Sequence, residues 1–232
     1  MISVIILAYN EAACIEKTLQ NLKQLKCQMP VELLLADGGS TDDTVEIAKK
    51  YARIVKTGKG KARQMNAAAA VAKGKVLFFI HADMVLHNDT LEAICRQIEE
   101  GFDGGGFANV FDEHNSKIKQ FGTLLNFRFL RNQEQSDRNI FYGDNGIFVK
   151  KEVFETLGGF KDLPIMEDFD FSVRMRSRFK VRKIREPKLV VSARRHIKTG
   201  FLKTRLQWII IKKLYLLGVS PQWLAKWYKD VR

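Results

Sequence analysis

The chain has few cysteines, few prolines and no long apolar run, and each shortage removes a class of protein. Cys14, Cys27 and Cys95 are its three cysteines in 232 residues, widely spaced and without a CxxC pair. That scatter argues against a disulfide framework and a zinc site, and leaves three buried thiols as the plain reading. Four prolines beside 16 glycines, with 46% hydrophobic and 28% charged residues, exclude a disordered, collagen-like or mucin-like chain. No window approaches the roughly 20 apolar residues of a membrane-crossing helix. The apolar opening Ile2–Ala8 has no basic flank and is too short for a signal-peptide core, so it reads as a strand, and the protein is expected in the cytoplasm. The familiar phosphate loops are missing as well. Gly58 and Gly60 lack the third glycine of GxGxxG, and no Walker-type GKS or GKT occurs, which removes the ordinary kinase and dehydrogenase readings.

Acidic residues are scarce in one region only. Residues 1–169 carry 21 basic and 23 acidic side chains, a sum of −2, whereas residues 170–232 carry 18 and 3, a sum of +15. The net charge of +13 is therefore C-terminal, and it points to a polyanionic partner there: a nucleic acid, an anionic membrane surface or a phosphorylated ligand.

What is present reads as alternating strands and helices. Ile2–Ala8 is an apolar run followed by Ile15, Leu19, Leu22 and Leu25 at helical spacing. A strand over 31–36 leads through Asp37-Gly38-Gly39 to a helix expected to cap near Ser40 or Thr41, with Asp42 and Asp43 in its first turn. A short strand at 53–55, an Ala-rich helix around 62–72 and a strand at 76–80 complete the first half. Such alternation implies a mostly parallel, Rossmann-like α/β sheet covered on both faces, which binds ligands beyond the carboxyl ends of its strands. The second half reads as a mixed extension of that sheet. It has a helix at 116–130, a turn at 142–146, a helix at 167–178, two short strands at 181–184 and 189–192, and an apolar, basic helix at 201–217. With a length prior of about 150 residues per domain, the chain reads as one continuous unit over residues 1–198 followed by C-terminal amphipathic helices at 199–232.

The strand ends carry the chemistry. Tyr9-Asn10-Glu11, the acidic, glycine-bearing run 37–43, and His81-Ala82-Asp83 are expected on one edge of the sheet. Acidic side chains beside glycines can bind a base or ribose while the glycines let a ligand approach the backbone; singly, the same residues also serve as turn closers and caps. Lys59, Lys61 and Arg63 surround a helix start that suits a diphosphate, or form a solvated basic loop. His81 and Asp83 can each bind a divalent cation, the carboxylate favouring a hard ion and the imidazole a transition metal; His81 can equally be an ordinary hydrogen-bonded residue. Glu167 and Asp168 open a helix, where one of them could serve as a general base or both could be first-turn anions without chemistry.

These residues resemble the family 2 glycosyltransferases of the GT-A fold. The resemblance runs from Ile2 to about His196 and rests on six ordered elements: residues 3–11, 37–43, 60–66 and 81–83, Gly143-Asp144-Asn145-Gly146, and Met166-Glu167-Asp168. It implies that Ala8, Tyr9, Glu11, Asp37, Lys61, Arg63, Asn66, Ala82 and Asp144 bind a nucleoside diphosphate sugar, with UDP favoured over GDP. It implies Mg²⁺ or Mn²⁺ at Asp83, with His81 and His196 as further ligand candidates and Arg194 or Arg195 near the diphosphate. It makes Asp168 the base of an inverting transfer to an acceptor hydroxyl, with Glu167 in support. His81 departs from the first Asp of the family's DxD motif, and no QxxRW motif follows, which favours transfer of a single sugar over polymerisation.

The tail adds an expectation of its own. Arg205 and Lys212 share a helical face, with an apolar arc expected opposite, so the segment could lie on an anionic membrane at the inner face of the cell and serve a lipid or lipid-linked acceptor. It could equally pack on its own domain or on a second subunit in a homodimer. Two other readings compete: a catalytically silent nucleotide-sugar-binding or membrane-surface protein, and a nucleic-acid binder. The latter is disfavoured because no nucleic-acid motif accompanies the charge.

Overall fold

A computed structural model describes residues 1–112 and 139–228. The strands are β1 (Ile2–Ala8), β2 (Val31–Asp37), β3 (Arg53–Lys56), β4 (Val76–His81), β5 (Gly104–Phe111), β6 (Ile147–Lys150) and β7 (Val181–Val191). They form one seven-stranded sheet in the order β3-β2-β1-β4-β6-β5-β7. β6 runs antiparallel to both neighbours; the other pairings are parallel. Consequently β1, β2, β4, β5 and β7 all end on the same edge.

The helices are α1 (Ala12–Lys23), α2 (Thr44–Ala48), α3 (Lys61–Val71), α4 (Thr90–Glu99), α5 (Lys151–Thr156), α6 (Glu167–Arg178), α7 (Arg194–Thr199), α8 (Phe201–Leu216) and α9 (Pro221–Trp227). Every side chain of β1 is buried because the strand pleat sends alternate residues to two cores. Ile2, Val4 and Ile6 meet Ile15 and Leu19 of α1 and Ile94 of α4 on one face. Ile5 and Leu7 meet Ala62, Met65 and Ala69 of α3 on the other, where the alanines let the helix lie close to the sheet. A third cluster joins Ile165, Met166 and Phe169 to Ile211 of α8 and Leu224 of α9.

Two expectations change. The helix after Asp37 starts at Thr44 rather than near Ser40, because Ser40 and Thr41 are tied to the β1 end instead, the Ser40 hydroxyl accepting the Asn10 N–H at 2.9 Å and the Thr41 N–H donating to Asn10 Oδ1 at 2.8 Å. Residues 181–184 and 189–192 are one strand, since both ends of β7 pair with β5 across a register shift opposite Phe107 and Asn109. Residues 104–106 lie within β5, where a Cβ at Gly105 would fall 2.0 Å from the Arg182 carbonyl oxygen, so only glycine fits. The helix expected at 116–130 lies outside the described residues.

Candidate active site

β1 and β2 are tied together at the edge by Gln64, a buried residue of α3 whose amide donates to the carbonyl oxygens of Ala8 and Ala36, both at 2.8 Å. The Asp37 carboxylate accepts the N–H groups of Gly39 and Ser40 at 3.1 Å and closes its turn. Tyr9 lies beneath Lys59, whose ammonium sits 4.5 Å from the ring centroid. Ala82 is buried, and its carbonyl accepts the Thr18 hydroxyl at 2.7 Å.

At the end of β4, Asp83 accepts a 2.7 Å hydrogen bond from Arg194 Nη2, and the same nitrogen lies 2.9 Å from Glu11 Oε2. Glu11 is buried, and its backbone N–H donates to Thr44 Oγ1. Burial opposes ionisation of Asp83, but the positive fields of His81 and Arg194 outweigh it and hold the carboxyl below its ordinary value. The pair of carboxylates thus already accommodates a cationic group.

His196 sits midway along α7 with its ring edge-on to Phe111, centroids 4.7 Å apart. Burial, and then the Arg195 charge, push its imidazole below the usual value. Among the described residues no group of three His, Cys, Asp or Glu side chains gathers as a closed metal cage. The Asp83 carboxylate supplies the oxygen chemistry that a hard cation takes.

The catalytic candidates meet beside this point. A small cavity is lined by Lys61, Met65, His81, Gly143, Glu167 and Asp168. Asp168 Oδ2 accepts the Gly143 N–H at 2.7 Å, and its Oδ1 accepts the Phe169 N–H at 2.7 Å. A Cβ at Gly143 would lie 2.7 Å from His81 Nε2, so a side chain there would have to displace the turn or the imidazole. Met166 precedes α6 at φ +70, a left-handed conformation unusual for methionine, and this turn sets the direction in which Glu167 and Asp168 leave the backbone. Burial, followed by the Asp168 charge, pushes the Glu167 carboxyl up to about 7, with Lys61 opposing.

Two expected ligands are employed elsewhere. Both ends of the Asn66 amide hold the Phe160 backbone, Nδ2 donating to its carbonyl at 2.7 Å and Oδ1 accepting its N–H at 2.9 Å, so Asn66 fastens α3 to the loop before α6. Arg63 pairs with Asp162 at 2.8 Å and does not line the cavity, whereas Lys61 does. Asp144 stands exposed in the Gly143–Asn145 turn, and its carbonyl accepts from Asn109. The tie that Gln64 makes between β1 and β2 and the link from Arg194 to Glu11 carry no local signal in the sequence, because they depend on partners distant along the chain.

The model of the family described as glycosyl transferase family 2 matches residues 3–158. The chain belongs to that family. The PGL/p-HBAD biosynthesis glycosyltransferase of Mycobacterium bovis (strain BCG / Pasteur 1173P2) is 30% identical over 192 residues, covering 75% of this chain and 69% of the relative. Among solved structures, S. aureus TarS in complex with UDP-GlcNAc superposes with a TM-score of 0.63 at 17% identity, over 82% of this chain and 58% of that one. The mannosyltransferase PcManGT from Pyrobaculum calidifontis, in complex with GDP-Man and Mn²⁺, gives 0.68 at 22%, over 95% and 66%. This family 2 chain therefore has the GT-A fold, while spanning under two thirds of those two solved chains.

Proposed function

We propose that this glycosyltransferase moves one hexosyl group from a nucleoside diphosphate sugar, UDP-linked by preference, to a hydroxyl of a lipid or lipid-linked acceptor, with inversion at the anomeric carbon. The observation that carries the reading is the placement of Asp168. Its carboxylate is fixed by the Gly143 N–H in a cavity that also holds Lys61 and His81, one strand end away from Asp83. Residues 1–100 then serve the donor and residues 101–198 the acceptor.

In this mechanism Asp168 takes the proton of the acceptor hydroxyl, whose oxygen attacks the anomeric carbon from the face opposite the diphosphate as the sugar–diphosphate bond breaks. The N–H groups of Gly143 and Phe169 hold the carboxylate still, so little reorganisation precedes proton transfer. Glu167, with its carboxyl near 7, spares the cavity a full second negative charge beside the base. Lys61 supplies positive charge toward the phosphates, and Tyr9, Glu11 and Asp37 line the approach of base and ribose. Asp83, with His81 or His196, would hold Mg²⁺ or Mn²⁺. Such a cation neutralises charge developing on a departing diphosphate.

The test is calorimetric titration with UDP, GDP and their sugars, with and without Mn²⁺, on the wild type and Asp83→Ala, followed by release of nucleotide from the bound donor. Binding of one nucleotide class, weakened in Asp83→Ala, supports the reading. Absence of nucleotide binding under every condition would overturn it.

A further inference from the structure

Ten Lys and Arg and no Asp or Glu lie between Pro187 and Lys229. Within this segment α8 does not divide into a basic face and an apolar face as its sequence leads one to expect. Its inward side chains, Ile211 buried and Trp208 and Tyr215 half-buried, close over Ile165, Met166 and Phe169. The outward stripe is Leu202, Leu206, Ile209 and Leu216, at 77%, 59%, 46% and 63% exposure. Lys203 and Lys213 are exposed on the same helix. Leu217 (81%) continues the stripe, and α9 adds Trp223 (56%) and Trp227 (46%). The inner side of α8 packs on the residues that flank Glu167 and Asp168, so its outer side is apolar for a different reason.

We infer that the outer face of α8 and α9 is a docking surface for an anionic lipid bilayer, on which the helices lie in the plane of the membrane. The composition selects this occupant. A second copy of the chain would bring a strongly basic segment against itself with no acidic side chain to compensate. A nucleic acid would satisfy the charge and leave the leucine stripe in water. A bilayer of anionic lipids satisfies both: the leucines enter the acyl boundary, the two tryptophans sit at headgroup depth, and the lysines meet lipid phosphates. None of the helices among the described residues is long and apolar enough to cross a membrane, which fits attachment at the surface. Because the opposite side of α8 packs on Met166 and Phe169, the docked face lies one helix thickness from the start of the helix that carries Asp168. An acceptor anchored in the same bilayer would therefore be delivered to that edge, a step that rests on the transferase reading; the docking surface itself does not.

The experiment is cosedimentation of the full chain with phosphatidylcholine vesicles, with and without phosphatidylglycerol, alongside tryptophan emission. All three tryptophans, Trp208, Trp223 and Trp227, lie in α8 and α9, so emission reads this segment alone. We expect binding that requires phosphatidylglycerol, a blue shift on binding, and a roughly tenfold weaker partition for Leu206→Ser/Leu217→Ser. Both side chains are exposed, so thermal melting of this variant should match the wild type. Equal binding by wild type and variant, or no binding to anionic vesicles at low salt, would overturn the surface. So would light scattering that shows a dimer abolished by the same variant, or retention of RNA that the variant loses. Calorimetry with UDP on the wild type separates the two readings: donor binding without vesicle binding removes only the docking surface, and vesicle binding without donor binding removes only the donor site.

Discussion

Arg194 reaches Asp83 at 2.7 Å with a guanidinium nitrogen that also lies 2.9 Å from Glu11, so one positive charge is shared by the ends of β4 and β1. A divalent cation at Asp83 has to compete with this internal partner. Arg194→Gln is expected to bind Mn²⁺ several-fold more tightly than the wild type when no nucleotide is present, with Arg194→Lys in between. Titration followed by the Mn²⁺ paramagnetic signal checks this, and unchanged affinity would show that the guanidinium does not occupy the cation position.

Asp168→Asn keeps the size of the side chain and can still accept the Gly143 N–H, but it removes the proton acceptor. We expect kcat to fall by about 10²–10⁴-fold, the usual contribution of a positioned general base, with UDP affinity within a factor of two or so of wild type. Equal loss in binding and turnover would mean that Asp168 holds the donor rather than the acceptor proton.

Gly143→Ala tests the crowding between the turn and β4. The new Cβ would meet His81 Nε2 at 2.7 Å and Asp168 Oδ2 at 3.5 Å, so the turn or the imidazole has to shift. A displacement of this kind costs on the order of 10²-fold in rate. The double variant with His81→Ala, which removes the nearest obstacle, should recover part of that loss in steady-state assays.

Glu167→Gln should change how stability depends on pH. The carboxyl rises from an ordinary 4.5 to about 7 in the folded chain. Between those values the folded state holds a proton that the unfolded state has released, so this group's contribution declines as pH rises through the window and is flat above it. The variant lacks that decline. Its melting temperature relative to wild type should therefore increase from pH 5 to pH 7.5, as read by calorimetric melting across that range.

Asn66→Ala separates a structural asparagine from a ligand-binding one. Losing both hydrogen bonds to Phe160 should destabilise the fold by roughly 1–3 kcal/mol, measured by urea unfolding. The KM for donor should stay near wild type; a large rise in KM with unchanged stability would return Asn66 to the donor site.

The legible parts of this protein are those whose cause is local. Ile2–Ala8 and the strand over 76–80 announce themselves because a strand buried on both faces is a continuous apolar run, and the helix at 167–178 because its acidic first turn precedes a helical pattern. The clustering of strand ends follows from parallel topology, so Glu11, Asp37 and Asp83 could be placed on one edge in advance. Asn66, Arg63 and Arg194 behave differently. Their partners lie 94, 99 and up to 183 residues away, and nothing in the local sequence distinguishes a side chain that binds a ligand from one that fastens a loop. The outward stripe of α8 was obscured because apolar side chains occur on both of its sides, one packed and one exposed.

The position of β6 also governs how the chain can be built. It is the strand that links β4 to β5, yet it is synthesised after both of them. Until residues 147–150 emerge, β4 has an open edge and β5 has neither of its sheet neighbours. A chain stopped near residue 112 would therefore present unpaired strand edges to other molecules, the state in which sheets associate wrongly. The donor-side residues are early in the sequence, but the scaffold that keeps them apart from other chains is finished only when the acceptor side has been made.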